Sequence, residues 1–136
     1  MILDLPFGAN VLILSKNNNN KLVAVHRRED PNLICLPGGK LEPAESILDC
    51  AIREVREETG IVLEKEALEF LYEGICIGGR DYYVVTFVTY LPEDILFSPL
   101  EDDMNPFWCE KEELIKSTMF KDYNKKVLEQ LKWKTY

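Results

Sequence analysis

Apolar residues follow two periods along this chain, and the change of period separates strands from helices. Six segments are almost continuously apolar or alternate apolar with polar positions, a pattern that favours β-strands. These predicted strands are residues 8–15, 21–27, 33–36, 67–77, 82–91 and 107–109. Residues 17–20 are four asparagines, which tolerate left-handed backbone and therefore predict a hairpin connection between the first two strands.

Two segments show the helical period instead. Residues 45–59 are predicted to form a helix that ends at Gly60, and residues 123–133 a second helix with one apolar face. Residues 78–80, two glycines and an arginine, are predicted to join the fourth and fifth strands, and residues 92–106 to form an acidic loop. Two helices on a mixed sheet give an α/β or α+β sandwich.

The composition narrows the class of protein. The chain has 136 residues, 46% of them hydrophobic and 29% charged, and shows neither repeats nor an interdomain linker, which predicts one domain over residues 1–136. No apolar run approaches the ~20 residues of a membrane span. The first ten residues lack the basic start of a signal peptide, which favours a cytoplasmic protein.

Charge and cysteine content exclude further classes. A formal charge of −8 argues against binding of duplex DNA through a broad basic face, whereas a small polyphosphate can bind an acidic protein if metal ions reverse the local sign. The cysteines form no C-x-x-C pair, and three lie in apolar stretches, so buried reduced thiols are expected rather than zinc ligands or disulfides. They are Cys35, Cys50, Cys76 and Cys109.

Three carboxylates share one stripe of the first predicted helix. At ~100° per residue, Glu54, Glu57 and Glu58 fall within a sector about 100° wide, beside the apolar face formed by Ala51 and Val55 and their neighbours. Like charges this close destabilise a helix, and a bound hard cation such as Mg²⁺ would explain the cluster. A solvated acidic face with Glu–Arg pairs is the alternative.

The residues around the stripe are specified as well. Pro37-Gly38-Gly39 predicts a sharp turn whose backbone can approach a ligand, and it leads into the segment GKLEPAESILDCAIREVREETGI at residues 39–61. This segment resembles, without a departure, the box of the Nudix hydrolases, G-x5-E-x7-R-E-U-x-E-E-x-G-U with U aliphatic. The matching positions are Gly39, Glu45, Arg53, Glu54, Val55, Glu57, Glu58, Gly60 and Ile61.

The resemblance extends over nearly the whole chain, because the length and the order of elements before the box are similar to small Nudix proteins of the MutT type. It implies a Nudix-type α/β/α sandwich with a mixed β-sheet, and a pyrophosphohydrolase that uses Mg²⁺ or Mn²⁺. The metal ligands that it implies are Glu54, Glu57, Glu58 and the carbonyl of Gly39. Glu54 or a neighbour such as Glu57 would also help to activate water.

Arg53 and Glu45 resemble the family's orienting pair, which holds the carboxylates in place. Glu45 would equally complement the dipole in the first turn of the helix. Family members often recruit a further acid from a loop outside the box. The candidates are Glu101, Asp102 and Asp103, of which Asp103 is favoured, and a solvated acidic loop is the alternative.

Substrate-binding residues are expected outside the carboxylate cluster. Arg28 follows the second strand, where MutT-type proteins place an arginine against phosphate, and a solvated strand end is the alternative. Gly38 lies in the glycine turn that can approach a ligand. Trp108 could stack on a base or anchor the sheet, and Asn124 could read a base edge or cap the last helix. Asn10 and Tyr83 could face a pocket, but the pattern does not place them.

The function expected is hydrolysis of a pyrophosphate bond in a nucleoside diphosphate derivative. A nucleoside triphosphate, with oxidised and purine nucleotides included, is the first choice of substrate, giving nucleoside monophosphate and pyrophosphate. ADP-ribose or a dinucleoside polyphosphate is the alternative substrate. The alternative to an enzyme is a catalytically silent module that binds a nucleotide. The protein is expected to act on a small nucleotide as a monomer or homodimer, without binding a membrane.

Overall fold

The computed structural model describes residues 5–77, 81–101, 103–118 and 120–131. Within these ranges the long apolar and alternating segments form strands, as the sequence predicts. The strands are β1 (Phe7–Ser15), β2 (Lys21–His26), β3 (Ile34–Cys35), β4 (Gly38–Lys40), β5 (Glu69–Cys76), β6 (Tyr82–Leu91) and β7 (Phe107–Glu110). A single turn of 3₁₀ helix at Lys65–Ala67 precedes β5.

The strands form a mixed sheet with β1 at its centre. The order is β3-β2-β1-β6-β5, with β4 also paired to β1 and β7 paired to β2. β1 and β6 run parallel, with Phe7 opposite Tyr83 and Ser15 opposite Leu91, whereas β4 runs antiparallel to β1. The described part of the sheet therefore combines both strand directions, which confirms the expected mixed sheet.

In the described residues three helices flank this sheet: α1 (Ile47–Thr59), α2 (Lys111–Ser117) and α3 (Lys121–Gln130). The N-cap of α1 is Ser46, whose side chain accepts a hydrogen bond from the Asp49 amide at 3.0 Å. At its other end Gly60 adopts a left-handed conformation with φ 81° and donates its N–H to the Arg56 carbonyl. Gly60 is thus the stop signal that the sequence predicts.

The continuous apolar run of β1 serves two cores, because successive side chains of a strand point to opposite faces. Leu12 and Leu14 join the core beneath α2 and α3, whereas Val11 and Ile13 join the core beneath α1. All four side chains are essentially inaccessible to solvent. Helices therefore cover both faces of the sheet, which confirms the α/β/α arrangement.

Several element boundaries differ from the expectation. α1 begins at Ile47 instead of residue 45, and α3 spans Lys121–Gln130 instead of residues 123–133. The short helix α2 is absent from the sequence prediction, because seven residues, Lys111–Ser117, give too little periodicity to detect. The predicted connection at residues 78–80 and the end of the last predicted helix lie outside the described residues.

The glycine segment before α1 also departs from its prediction. Gly38 and Gly39 belong to strand β4 instead of a sharp turn, with Ala9 opposite Gly39 and Asn10 opposite Gly38. Glycine is required at position 38 because the backbones are crowded there: a Cβ on Gly38 would collide with the Ala9 carbonyl.

No helix in the described residues is long and apolar enough to cross a membrane.

Candidate active site

Arg53 is the centre of the polar cluster on α1. Its Nε donates to Glu45 at 2.6 Å, and its Nη1 donates to Glu54 at 2.8 Å and to Glu57 at 3.1 Å. Its Nη2 reaches back to the Lys40 carbonyl at 3.0 Å. One guanidinium thus ties two glutamates of the acidic stripe to the segment that precedes the helix.

Glu45 holds this arginine from outside the helix. It lies one residue before the N-cap Ser46, which corrects the expectation of a first-turn position. The hydrogen bonds from Arg53 lower the pKa of the Glu45 carboxyl, and the same contacts raise the pKa of the Arg53 guanidinium. The ion pair therefore keeps both groups charged and in a fixed orientation.

Among the acidic residues that the structure describes, Glu58 is the most buried, with 7% of its surface exposed. Burial raises its pKa to about 8, an increase that the Gly38 N–H opposes and that the nearby Glu54, Glu101 and Glu57 add to. Burial likewise raises the pKa of Glu54, against the effect of Arg53. The stripe is thus an arrangement of carboxylates whose charge is incompletely compensated by protein groups.

Strand β4 presents its backbone to these glutamates. The Gly38 amide donates to Glu58 Oε1 at 2.9 Å, and a Cβ on Gly39 would come within 2.5 Å of the Glu54 carboxylate. The Cys50 thiol lies 3.6 Å from the carbonyl oxygen of Gly39. Glycine at position 39 therefore gives Glu54 the space it occupies beside the strand.

The donor set suits a hard divalent cation chemically, since carboxylate and carbonyl oxygens are the ligands that Mg²⁺ prefers. In the described part of the chain, however, no three acidic, histidine or cysteine side chains are arranged to hold a metal ion. Arg53 binds one oxygen each of Glu54 and Glu57. The Glu57 side chain is 32% exposed and that of Glu54 is 13% exposed, so Glu57 has more room to turn towards an ion.

The loop after β6 brings a further acid to the cluster. The amides of Leu100 and Glu101 both donate to the Glu57 carbonyl, at 2.9 and 3.0 Å, and so dock the loop on the C-terminal end of α1. The charge of Glu101 then acts on Glu54 and Glu58. Asp103, the acid favoured from the sequence, is exposed, and its role stays a prediction; Asp102 lies outside the described residues.

A cavity of about 480 Å³ lies against the other side of β4. It combines small backbone positions of β1 and β4 with apolar, aromatic and polar side chains. Its lining residues are Gly8, Ala9, Asn10, Arg27, Cys35, Leu36, Gly38, Gly39, Lys40, Cys76, Tyr82, Val84, Phe120, Tyr123 and Asn124. Because Gly38 and Gly39 also contact Glu58 and Glu54, the cavity and the acidic stripe share one strand.

The arginines after β2 divide between two surroundings. Arg27 lines the cavity, with its guanidinium carbon 5.5 Å from the centre of the Phe120 ring. Arg28, the residue expected to bind phosphate, places Nη2 3.8 Å from Glu101, and its phosphate-binding role stays a prediction. The structure thus places Arg28 beside the loop acid and Arg27 on the cavity wall. The sequence could not distinguish these positions, because the two arginines are neighbours of the same residue type.

Asn124, the candidate for reading a base edge, is buried at the wall of the cavity. It lines the cavity with only 2% of its surface exposed, and its Nδ2 donates to Thr118 Oγ1 at 3.2 Å. Phe120 occupies the N-cap position of α3, which corrects the capping alternative for Asn124.

Trp108 does not line the cavity. It packs in the core beneath α1, with its ring 6.4 Å from that of Phe97, so the structure supports the anchoring role and not base stacking. Its Nε1 is buried and has no partner in the described residues. Tyr83, another aromatic candidate, also does not line the cavity, and its ring lies 5.3 Å from Phe7.

Sequence reasoning missed most of the cavity wall. Lys40 and Tyr82 are both on it, with the Lys40 ammonium 5.7 Å from the centre of the Tyr82 ring, and so are Arg27, Phe120 and Tyr123. Of the lining residues, Gly38, Gly39 and Asn124 had been named as site candidates, and Asn10 had been considered without a position. The single available signal was that Tyr123 adjoins Asn124 in a segment resembling a known binding helix.

Comparison with known proteins agrees with this architecture. Residues 6–131 match the NUDIX domain family. The chain is 43% identical over 53 residues to a putative 8-oxo-dGTP diphosphatase of Bacillus subtilis (strain 168), a match covering 39% of the chain and 34% of that protein. It is 34% identical over 56 residues to an ADP-ribose pyrophosphatase of Methanocaldococcus jannaschii, covering 40% and 33% respectively. The matched segments thus span about a third of these relatives' lengths.

Among solved structures, an Ap4A hydrolase binary complex from C. elegans superposes with a TM-score of 0.76. The two share 21% identity, over 95% of this chain and 96% of the other, a level that speaks for the fold alone. The family match covers nearly all the described residues, and the box, the α/β/α sandwich and the mixed sheet agree with it. The chain belongs to the NUDIX domain family.

Proposed function

We propose that this protein hydrolyses a pyrophosphate bond in a nucleoside diphosphate derivative, with the help of a divalent metal ion. The observation that carries this proposal is the position of strand β4, which contacts the carboxylates of α1 and also lines the cavity. A substrate whose diphosphate lies beside Glu54 and Glu58 can therefore extend its nucleoside into the cavity. The volume of about 480 Å³ is within the ordinary range for a small-molecule site.

Glu54, Glu57 and Glu58 would hold Mg²⁺ or Mn²⁺, with Glu101 as the loop acid and a backbone carbonyl at Gly39 as a further ligand. The bound ion would neutralise the diphosphate and lower the pKa of a water molecule near it. Neutralisation is needed because the substrate's phosphates and the acidic stripe have the same sign of charge.

The chain's own residues would orient the reactants. Arg53 would keep Glu54 and Glu57 directed towards the reacting phosphate, and Glu45 would keep Arg53 in place. Glu57, the more exposed of those two carboxylates, would accept a proton from the attacking water. Water would attack one phosphorus and the bond to the bridging oxygen would break, leaving two phosphate products.

A covalent intermediate on the protein is not supported. The one histidine, His26, has its Nδ1 2.9 Å from the Pro31 carbonyl, and its ring stacks on Phe107 at 4.9 Å between centroids. Burial raises the pKa of the Cys35 thiol on the cavity wall to about 12, which keeps it protonated. Direct attack by water is therefore the mechanism that the site favours.

Among substrates, a nucleoside triphosphate cleaved to nucleoside monophosphate and pyrophosphate is our first choice. The relative from B. subtilis named for 8-oxo-dGTP supports this choice, and Asn124 on the cavity wall can bond a base edge. ADP-ribose and dinucleoside polyphosphates are the alternatives, in line with the names of other relatives. A silent nucleotide-binding module would keep the cavity but show no turnover.

The test is a panel of ordinary and oxidised nucleoside triphosphates, ADP-ribose and dinucleoside polyphosphates, with Mg²⁺ or Mn²⁺ and with EDTA. We expect metal-dependent release of pyrophosphate or phosphate, and a decrease in kcat of ~100-fold or more in Glu57→Gln with the fold intact. Glu113→Gln, on the exposed side of α2, is the matched control and should retain activity. Binding without turnover on the whole panel would support the silent module instead.

A further inference from the structure

We propose that Asn10 selects substrates whose base carries an N–H donor, because Thr86 and Tyr123 hold its amide with the carbonyl oxygen facing the cavity. This inference rests on the proposed function in placing a base in the cavity. It concerns a residue of strand β1 that lies outside the carboxylate cluster and outside the last helix.

A chain of polar contacts at the cavity wall links Asn10, Thr86, Tyr123 and the carbonyl of Val84. In the structure Thr86 Oγ1 lies 2.5 Å from Oδ1 of Asn10 and 2.7 Å from Tyr123 Oη, and Tyr123 Oη lies 3.0 Å from the Val84 carbonyl oxygen. Oδ1 and Nδ2 of an amide have the same shape, so the atom of Asn10 that faces Thr86 is assigned from the hydrogen bonds around it. Thr86 is completely buried and Tyr123 is 5% exposed, so water cannot replace a missing partner here. Asn10 is half-buried and lines the cavity.

Counting protons decides the orientation of the amide. If Oδ1 of Asn10 faces Thr86, the two hydroxyls supply two protons for three oxygen–oxygen contacts, and one contact is left without a proton. If Nδ2 faces Thr86, the amide donates to Thr86, Thr86 donates to Tyr123, and Tyr123 donates to Val84. All three contacts then have one proton each. The two orientations have the same shape and differ only in this count.

The satisfied orientation leaves Oδ1 of Asn10 directed away from Thr86, as an acceptor on the cavity wall. Neighbouring lining residues such as Leu36, Val84 and Phe120 are apolar and suit the faces of a planar base. An acceptor in such surroundings favours a ligand that offers it an N–H group and penalises one that cannot. Adenine offers an exocyclic amine and hypoxanthine a ring N–H, whereas unsubstituted purine has neither.

The experiment compares kcat/KM for ATP, inosine triphosphate and purine riboside triphosphate, which share their sugar and phosphates. We expect the wild-type protein to prefer at least one donor-bearing base over unsubstituted purine by about tenfold or more. Asn10→Leu should bring this ratio near one, whereas Asn10→Asp keeps an acceptor oxygen and should retain it. A wild-type ratio near one would overturn the inference and leave the proposed hydrolysis standing.

Tyr123→Phe separates orientation from packing. Without the tyrosine hydroxyl, Asn10 and Thr86 can satisfy each other with either atom of the amide facing the cavity. The preference for donor-bearing bases should therefore fall several-fold although Asn10 is intact. A purely structural role of Tyr123 would lower kcat/KM for all three substrates equally, and that result would contradict the assignment.

A second readout needs no turnover. In ¹⁵N NMR spectra, an Asn10 side-chain amide proton held by Thr86 should exchange slowly with solvent in wild type and faster in Tyr123→Phe; rapid exchange in wild type would refute the orientation. If no nucleotide is hydrolysed, the proposed function fails, but titration with AMP and purine riboside monophosphate still tests the selection. Equal dissociation constants would then refute it.

Discussion

Arg53 donates its Nε proton to Glu45 across 2.6 Å, and this contact joins the interior of α1 to the residue just before its N-cap. The same guanidinium also holds Glu54 and Glu57. A guanidinium that donates several hydrogen bonds at this position holds the carboxylate side chains in fixed orientations. Unpaired carboxylates on a helix surface would be free to move.

Replacing Arg53 by Lys tests this relationship. An ammonium keeps the charge but cannot reach Glu45, Glu54 and the Lys40 carbonyl together, since it lacks the planar fork. We expect kcat to fall by ~10- to 100-fold with a smaller change in KM, because misplaced carboxylates affect the reacting geometry most. Steady-state kinetics with saturating Mg²⁺ measures the changes in kcat and in KM separately. Arg56→Lys, an exposed position on the same helix, should behave as wild type.

Replacing the neighbouring glycines Gly38 and Gly39 by alanine should have two different effects. A Cβ on Gly38 would meet the backbone of Ala9, which cannot move without disturbing the sheet, so Gly38→Ala should destabilise the fold by about 1–3 kcal/mol. A Cβ on Gly39 would meet the flexible end of Glu54, so Gly39→Ala should keep most stability and lose ~10-fold or more in kcat. Thermal unfolding measures the stability of both variants, and steady-state kinetics measures their kcat. Equal losses of stability in the two variants would contradict the prediction that only Gly38→Ala disturbs the sheet.

Glu101 should matter for metal binding and Asp103 should not. The charge of Glu101 acts on Glu54 and Glu58, whereas Asp103 is exposed. Removing one carboxylate charge near a cation site weakens attraction for the ion, so Glu101→Gln should raise the Mg²⁺ concentration for half-maximal activity several-fold. Asp103→Asn is the matched control. The reverse result would restore the original expectation for Asp103.

The cysteines should react slowly in the folded protein. Burial favours the neutral thiol and raises the pKa of Cys35, Cys76 and Cys109 to about 12 and that of Cys50 to about 11. At pH 8 each is then at most ~0.1% thiolate, the form that reacts with disulfide reagents. We expect little colour with DTNB in native buffer and four equivalents in guanidinium chloride. A thiol that titrates rapidly in the native protein would contradict this.

Local sequence was sufficient wherever the partners are close along the chain. The spacing of Arg53, Glu54, Glu57 and Glu58 on one helix gave both the stripe and the family resemblance, because residues three or four apart share a helix face. The apolar run at residues 8–15 predicted strand β1, because a short continuous apolar run favours a strand. Expectations based on these periods agree with the structure.

Tertiary structure decided what depends on contacts between distant segments. Thr86 meets Asn10 across 76 positions, and Glu101 reaches the acidic stripe because a loop docks on the end of α1. Arg27 and Arg28 are adjacent and chemically identical, so only the path of the backbone after β2 puts the first on the cavity wall and the second beside Glu101. A one-dimensional pattern records the period of a single element, whereas these choices follow from how packed elements and loops are placed against each other.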